Sequence, residues 1–132
     1  MKKDFIHVVS INVNGSVYYD EIENSLEEFQ NQVDGFIETI PLFDNYVLIV
    51  DEEGKLKESP MSCVITNNHD VVDYILGDCF ITKINGEDFD DIDEQEVLNV
   101  LKHIHAFKDK TAFVVQSKSL FGIRIELNEE GK

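Results

Sequence analysis

Apolar residues near the start of the chain recur with a period of two, which is typical of β-strands. Residues 5–13 are rich in β-branched side chains, and residues 17–22 form a second apolar run. Asn14 and Gly15 lie between the runs, and both tolerate the positive φ that a type I′ turn requires. The pattern therefore predicts an opening β-hairpin.

The period then changes to that of a helix. Ser25 and Glu28 fit a capping box, in which the Ser hydroxyl accepts from the first turn and the Glu reaches back. Leu26, Phe29 and Val33 share one face of the expected helix. Gly35 is placed to end this helix in the left-handed conformation.

Alternating or short apolar runs predict most of the remaining elements. Residues 71–76 fit a short helix or a strand equally well, and residues 51–55 read as a polar turn. The strands predicted after the first helix cover residues 36–40, 46–50, 62–66, 79–84, 111–116 and 121–127.

A second helix is predicted over residues 94–107. Asp93 is a suitable N-cap and Glu96 occupies the capping-box position, while Ile92 and Val97 have the spacing of a hydrophobic staple. Val97 also begins an apolar stripe with Leu98, Leu101 and Ile104. Acidic residues before the first turn favour the positive end of the helix dipole.

Together these elements predict one α+β domain over residues 1–132, with about seven mostly antiparallel strands and two or three helices. No apolar run is long enough to span a membrane, and no secretion signal is apparent. Cys63 and Cys79 each lie in an apolar segment, so buried reduced thiols are expected in preference to a disulfide. We therefore expect a cytoplasmic protein.

Charge adds the strongest functional signal. The formal net charge is −16, and the excess of acids lies between residues 20 and 96. Seven of the ten residues from Glu87 to Glu96 are carboxylates. Capping explains Asp93 and Glu96, which leaves Glu87, Asp88, Asp90, Asp91 and Glu94 without a local role. A solvated loop is one interpretation; the other is a functional surface that resembles a nucleic-acid backbone, whose phosphates lie about 3.4 Å apart along a strand.

Catalytic and metal-binding patterns are weak. His103 and His105 fall on the second predicted helix, where residues two apart point in different directions and cannot share one ion. His69 and Asp70, near Ser62 and Cys63, could form a hydrolase site, but no nucleophile elbow or oxyanion loop accompanies them. No phosphate-binding glycine loop is present, and no register fits a calcium loop. We expect a protein that is not an enzyme and has no cofactor or metal.

Several motifs resemble an uncharacterised domain family of phages, plasmids and other mobile elements, largely of Gram-positive bacteria, which sometimes accompanies antirestriction proteins. The most specific are Gln30-x-x-Val33-x-Gly35-Phe36-Ile37-Glu38 and Glu52-Glu53-Gly54-Lys55-Leu56, with Gly77-Asp78 further on. The resemblance covers about residues 6–107, so residues 108–132 are a strand-rich extension. The chain departs from the family at Asp34, often a glycine there, and at Met61-Ser62, often Asn-Arg. The resemblance implies a mobile-element setting and no chemistry.

The leading hypothesis is a non-enzymatic phage or mobile-element protein that inhibits a host nucleic-acid-handling or defence protein. Its acidic surface would occupy the partner's basic nucleic-acid-binding surface, with no direct binding to nucleic acid or membrane. The partner-binding candidates are Glu87, Asp88, Asp90, Asp91, Glu94, Asp51, Glu52 and Glu53.

The alternative hypothesis is a small-ligand binder, for example a sponge for a nucleotide immune signal, with its pocket at an oligomer interface. A phosphate ligand would need a local basic site in this acidic chain. The candidates for it are Arg124, Lys118, Lys83 and Lys110. Self-association of the chain stays open under both hypotheses.

Overall fold

Short apolar runs bounded by turn residues form strands throughout the chain. The computed structural model describes residues 3–67, 70–106 and 113–116. Within them lie β1 (Phe5–Ile11), β2 (Val17–Glu23), α1 (Leu26–Val33), β3 (Ile37–Phe43), β4 (Tyr46–Asp51), α2 (Gly54–Lys57), β5 (Met61–Asn67), β6 (Asp70–Leu76), β7 (Cys79–Asn85), β8 (Asp88–Asp90), α3 (Glu94–Leu101), β9 (Ile104–Ala106) and β10 (Phe113–Gln116). The α+β class with mostly antiparallel strands is confirmed.

The strands form two sheets. The first has the order β2-β1-β7-β4-β3, with β8 paired to β7 beside β1. The second has the order β6-β5-β10-β9, in which β10 runs parallel to β5 and the other pairs are antiparallel. β10 lies in the predicted C-terminal extension, and its pairing makes Phe113–Gln116 part of the second sheet. The predicted strand at residues 121–127 lies outside the described residues.

Both faces of the first sheet are covered. On one face, α1 packs Phe29 and Val33 against Val47, Ile49 and Phe80. On the other face, the second sheet and α3 cover an apolar cluster whose members include Val9, Leu48, Ile81, Ile65 and Val100. All six residues of β4 are consequently buried. The fold has three layers, with the first sheet in the middle.

The opening hairpin is confirmed, but its turn is not type I′. Asn12 N–H donates to Ser16 O at 2.9 Å, and Gly15 N–H donates to Asn12 O at 3.1 Å. Gly15 has φ of 90° and Asn14 is not in the left-handed region. The connection is therefore a three-residue loop with one left-handed glycine, a common alternative to the two-residue turn.

The first helix begins at the predicted N-cap and ends one residue earlier than predicted. Only half of the predicted capping box forms, because the Ser25 N–H donates to Glu23 O and the Glu28 carboxylate accepts from Gln32 instead. The Ser25 side chain accepts from Glu28 N–H at 3.1 Å. Asp34, with φ of 61°, takes the left-handed position expected for Gly35. Gly35 is required for another reason, because a Cβ there would lie 2.4 Å from Oδ1 of Asp51. The glycine of this motif thus makes room for a buried carboxylate.

Several element boundaries differ from the prediction. β3 continues through Pro41 to Phe43, since it is an edge strand and the missing N–H of proline is tolerated there. The predicted polar turn continues into the single helical turn α2, which extends to Lys57, and residues 70–76 form a strand. The second helix ends at Leu101, so His103 lies beyond it and His105 lies in β9; the prediction that they share a helix is wrong.

Cys63 and Cys79 are both buried and free, with their Sγ atoms 4.0 Å apart between the two sheets. A hydrogen bond with Cys79 and burial raise the pKa of the Cys63 thiol well above its usual value. Within the described residues, no helix combines the length and apolar content needed to cross a membrane.

We expect Gly35→Ala to lower the free energy of unfolding by about 1 to 3 kcal/mol, because the added Cβ would overlap the Asp51 carboxylate. Urea unfolding measures the loss. In an Asp51→Ala background the same substitution should cost clearly less, since the overlapping atoms are gone. An equal cost in both backgrounds would show that this contact is not the reason for the glycine.

Candidate functional site

The acidic stretch is not a solvated loop along its whole length. Residues Asp88–Asp90 form β8, in which Asp90 pairs with Lys83, Phe89 with Ile84 and Asp88 with Asn85. Ile92 N–H then donates to the carbonyl of His7 at 3.0 Å. The segment therefore lies against both β7 and the start of β1. The sequence did not predict that this segment would join the sheet.

Asp90 and Asp91 have structural partners. One oxygen of Asp91 accepts from the backbone N–H of His7 at 2.5 Å and lies 2.9 Å from the Nδ1 atom of its ring. Lys3 Nζ lies 3.5 Å from Asp90 and 4.0 Å from Asp91. The backbone N–H of Asp91 lowers the pKa of Asp90. Asp91 holds the acidic segment to β1 and Asp90 pairs with Lys3 just before that strand, so the expectation that they lack a local role is wrong.

Asp93 and Glu96 form the predicted capping box. The Asp93 side chain accepts from Glu96 N–H at 2.9 Å, and Glu96 accepts from Asp93 N–H at 3.0 Å. Glu96 also accepts from Lys83 at 2.8 Å and from the Tyr46 hydroxyl at 2.6 Å. Burial alone would raise the pKa of Glu96, but these three donors lower it overall. Glu96 thus ties α3 to β4 and β7.

Three of the seven acids remain outside these contacts. Glu87, Asp88 and Glu94 are exposed, and the described part of the chain offers no hydrogen bond or ion pair to their carboxylates. The evenly spaced line of carboxylates that an extended segment would present is not formed, because Asp90, Asp91 and Glu96 point to partners of their own. The exposed charge is concentrated at the turn before β8 and at the start of α3.

The strand β2 adds acids that the sequence analysis did not select. Glu21 pairs in register with His7, and its carboxylate lies 3.8 Å from Nε2 of that ring. Burial raises the pKa of Tyr19, and Asp91 and Glu94 add to the rise. β2 therefore lies beside the acidic stretch. The predicted hairpin and the alternating pattern of β2 indicated that Glu21 lies on a strand. No local pattern indicated which segment would pack beside the hairpin.

The second predicted acidic region lies elsewhere. Asp51 ends β4, whose first residue Tyr46 contacts Glu96, and five residue steps of about 3.3 Å separate the two ends by roughly 17 Å. The Asp51 side chain is 4% exposed and pairs with Lys57 at 2.8 Å. Glu52 and Glu53 are exposed at this far end. Asp51 is therefore a structural residue, and the two acidic regions do not form one surface.

The structure does not bring the basic residues of the alternative hypothesis together, since only one of them, Lys83, lies in the described part of the chain. Lys83 lies in β7, and its ammonium group is held by both oxygens of Glu96 at 2.8 and 2.9 Å. Burial would lower the pKa of Lys83, but Glu96 raises it overall. Lys110, Lys118 and Arg124 lie outside the described residues, as does His69 of the hydrolase hypothesis.

The other histidines sit in separate surroundings. His7 stacks on Tyr19 with ring centroids 5.0 Å apart, and His103 stacks on Phe43 at 3.8 Å. Among the described residues, no three His, Cys, Asp or Glu side chains are grouped so that they could hold a metal ion.

Comparison with known proteins identifies a family but no activity. Residues 6–105 match the family described as Domain of unknown function (DUF3846). This confirms the predicted resemblance to an uncharacterised family over nearly the expected range. No curated protein and no solved structure matches the chain.

We expect Glu96→Gln to lower the free energy of unfolding by about 1.5 to 3 kcal/mol at neutral pH, because the carboxylate accepts charge-assisted hydrogen bonds. The pKa of Glu96 is lower in the fold than the usual 4.5. Its stabilisation is therefore complete above pH 4.5 and is lost as the pH falls through the folded value.

Urea unfolding at a series of pH values measures both effects, and the acid-induced loss should be smaller in Glu96→Gln than in the parent. Glu94→Gln is the matched control, since it removes a neighbouring exposed charge and should change stability by no more than about 0.5 kcal/mol. Equal effects of the two substitutions would contradict the role given to Glu96.

Proposed function

The chain belongs to the DUF3846 family, and we propose that it is a non-enzymatic protein that binds and inhibits a nucleic-acid-handling or defence protein through its exposed acidic surface. We include in that surface Glu87, Asp88 and Glu94, together with Glu21 of β2, whose carboxylate lies 3.8 Å from the His7 ring that Asp91 contacts. The set differs from the one expected from the sequence, because Asp90, Asp91 and Asp51 hold the fold together and Glu52 and Glu53 lie at the far end of β4.

One observation carries the proposal: the fold pairs four carboxylates of the acidic stretch with donors, yet leaves Glu87, Asp88 and Glu94 exposed without a described partner. The net charge of the chain is −16, and these three exposed acids contribute to its electrostatic self-repulsion without adding to the packing of the core. A binding role accounts for them better than a structural one.

Basic surfaces of nucleic-acid-handling proteins have the complementary charge. Such proteins use clustered Lys and Arg to hold phosphates. Carboxylates set against those cations would block access of the nucleic acid, and charge complementarity would speed the encounter more than it would strengthen the final complex. The proposed mechanism is therefore occlusion of a basic surface. Direct binding of this acidic chain to nucleic acid is opposed by its own field.

The setting of a phage or other mobile element is part of the same proposal. It is supported by the motifs at Gln30–Glu38 and Glu52–Leu56, which resemble a family found in such elements. In that setting the partner is a host protein, and inhibition would protect the incoming element.

The test is capture of proteins from a bacterial lysate on the immobilised chain at about 0.05 M and about 0.5 M salt. Screening shortens from roughly 14 Å to roughly 4 Å over this range, so a complex held by exposed charges should be lost at high salt. We expect a basic nucleic-acid-binding protein to be captured at low salt. The variant Glu87→Gln/Asp88→Asn/Glu94→Gln should retain at most about a tenth of it.

A charge-matched control comes from the far side of the protein. Glu38→Gln/Glu52→Gln/Glu53→Gln removes the same three charges from exposed positions away from the acidic stretch. Capture should be almost unchanged by it. If both triple variants lose the partner equally, net charge is responsible and the assigned surface is wrong. If capture does not respond to salt, occlusion by exposed carboxylates is wrong.

A further inference from the structure

A small cavity lies between the start of α1 and the turn before β8, next to two of the exposed acids. Its volume is about 200 Å³, which is below the range of pockets for drug-sized ligands and suits one side chain. The lining residues are Asn24, Ser25, Leu26, Phe29, Glu87, Asp88 and Phe89. Nothing in the fold described above requires this space.

The floor of the cavity is aromatic. Phe29 is 2% exposed and meets Phe89 edge to face, with ring centroids 5.0 Å apart. Leu26 forms a wall and is 59% exposed although it belongs to an amphipathic helix. The apolar surface would cover the aliphatic part of a ligand, as aromatic and leucine side chains do for the stems of Lys and Arg.

The polar groups around the cavity select the charge of the ligand. The Ser25 hydroxyl accepts from Glu28 N–H, and the Asn24 amide donates to Lys3 O at 2.9 Å. The carboxylates of Glu87 and Asp88 are exposed and have no partner among the described residues. An ionised carboxylate can only accept hydrogen bonds, so the cavity suits a cationic donor.

The N-terminus of α1 does not reverse this preference for a cation. A helix N-terminus favours anions, but Ser25 caps this one and Glu27 and Glu28 lie in its first turn. The local charge is therefore supplied by carboxylates. A second copy of the chain would bring a further net charge of −16 to the same place, which disfavours it as the occupant.

We propose that this cavity receives an arginine side chain of the protein partner, with its stem over Leu26 and the Phe29–Phe89 pair and its guanidinium at Glu87 and Asp88. Arginine is preferred to lysine because its planar group can donate to two carboxylates at once. The inference rests on the proposed function and adds to it an anchor residue at the centre of the contact, where binding energy is usually concentrated.

The direct test uses the ¹⁵N-labelled full chain and the probe acetyl-Gly-Arg-Gly-amide, followed by NMR. We expect saturable shifts of the amide resonances of Leu26, Phe29 and Phe89, with millimolar affinity, as is reasonable for one side chain. The matched peptide with citrulline in place of arginine has nearly the same shape and no charge, and it should bind at least fivefold more weakly.

Two exposed leucines provide matched variants. Leu26→Ser removes the cavity wall and should weaken binding of the arginine peptide at least fivefold. Leu98→Ser changes an exposed leucine of α3, 68% accessible and absent from the cavity lining, and should leave binding unchanged. Circular dichroism confirms that both variants fold.

Other outcomes would overturn the inference. Equal binding of the citrulline peptide would show that charge is not recognised, and shifts spread over all acidic segments without saturation would indicate a diffuse field. Shifts of the same amides with protein concentration alone would assign the cavity to self-association.

The lysate experiment separates this inference from the proposed function. If Glu87→Gln/Asp88→Asn/Glu94→Gln abolishes salt-sensitive capture while Leu26→Ser leaves it intact, the function stands and the arginine cavity is wrong. If the arginine peptide binds at the cavity while the triple variant captures the partner normally, the proposed function is wrong and the cavity stands.

Discussion

Two interior strands of the first sheet, β4 and β7, must be covered on both faces, and the rest of the structure follows from this requirement. β4 and β7 present apolar side chains to either side, so α1 packs on one face and the second sheet with α3 on the other. The burial extends to Asp51 at the end of β4. Its carboxylate is compatible with that position because Lys57 pairs with it, Glu53 N–H donates to it and Gly35 leaves it room.

The same layered arrangement divides the acidic stretch. Because β8 pairs with β7, the residues that follow it are carried to the start of β1, where Asp91 meets His7. Glu96 is carried to Lys83 and Tyr46. The exposed acids are those at the turn before β8 and at the start of α3, where no other element of the described structure covers them. An exposed acidic surface is therefore what remains after the fold has satisfied its own contacts.

Features that depend on neighbouring residues were predicted well, and features that depend on contacts between distant residues were not. Ser25 and Asp93 start helices as expected, because a side-chain cap depends on residues three positions away. The end of α3 at Leu101 was missed, because the apolar stripe of the helix continues to Ile104. In the structure Ile104 pairs with Val115 of β10 and belongs to a strand instead. Pro41 was taken as a strand end, but the position of β3 at the sheet edge removes the conflict.

The sequence by itself determined the α+β class, the helix starts, the opening hairpin and the strongly acidic character, because these depend on residue type and short spacing. Tertiary structure decided which carboxylates are structural and which are exposed. Asp91 and His7 are 84 positions apart, and no local pattern links them. Neighbouring acids such as Asp88 and Asp91 are chemically alike; they differ in their contacts because sheet pairing places a donor beside Asp91 and leaves Asp88 exposed beside an open cavity.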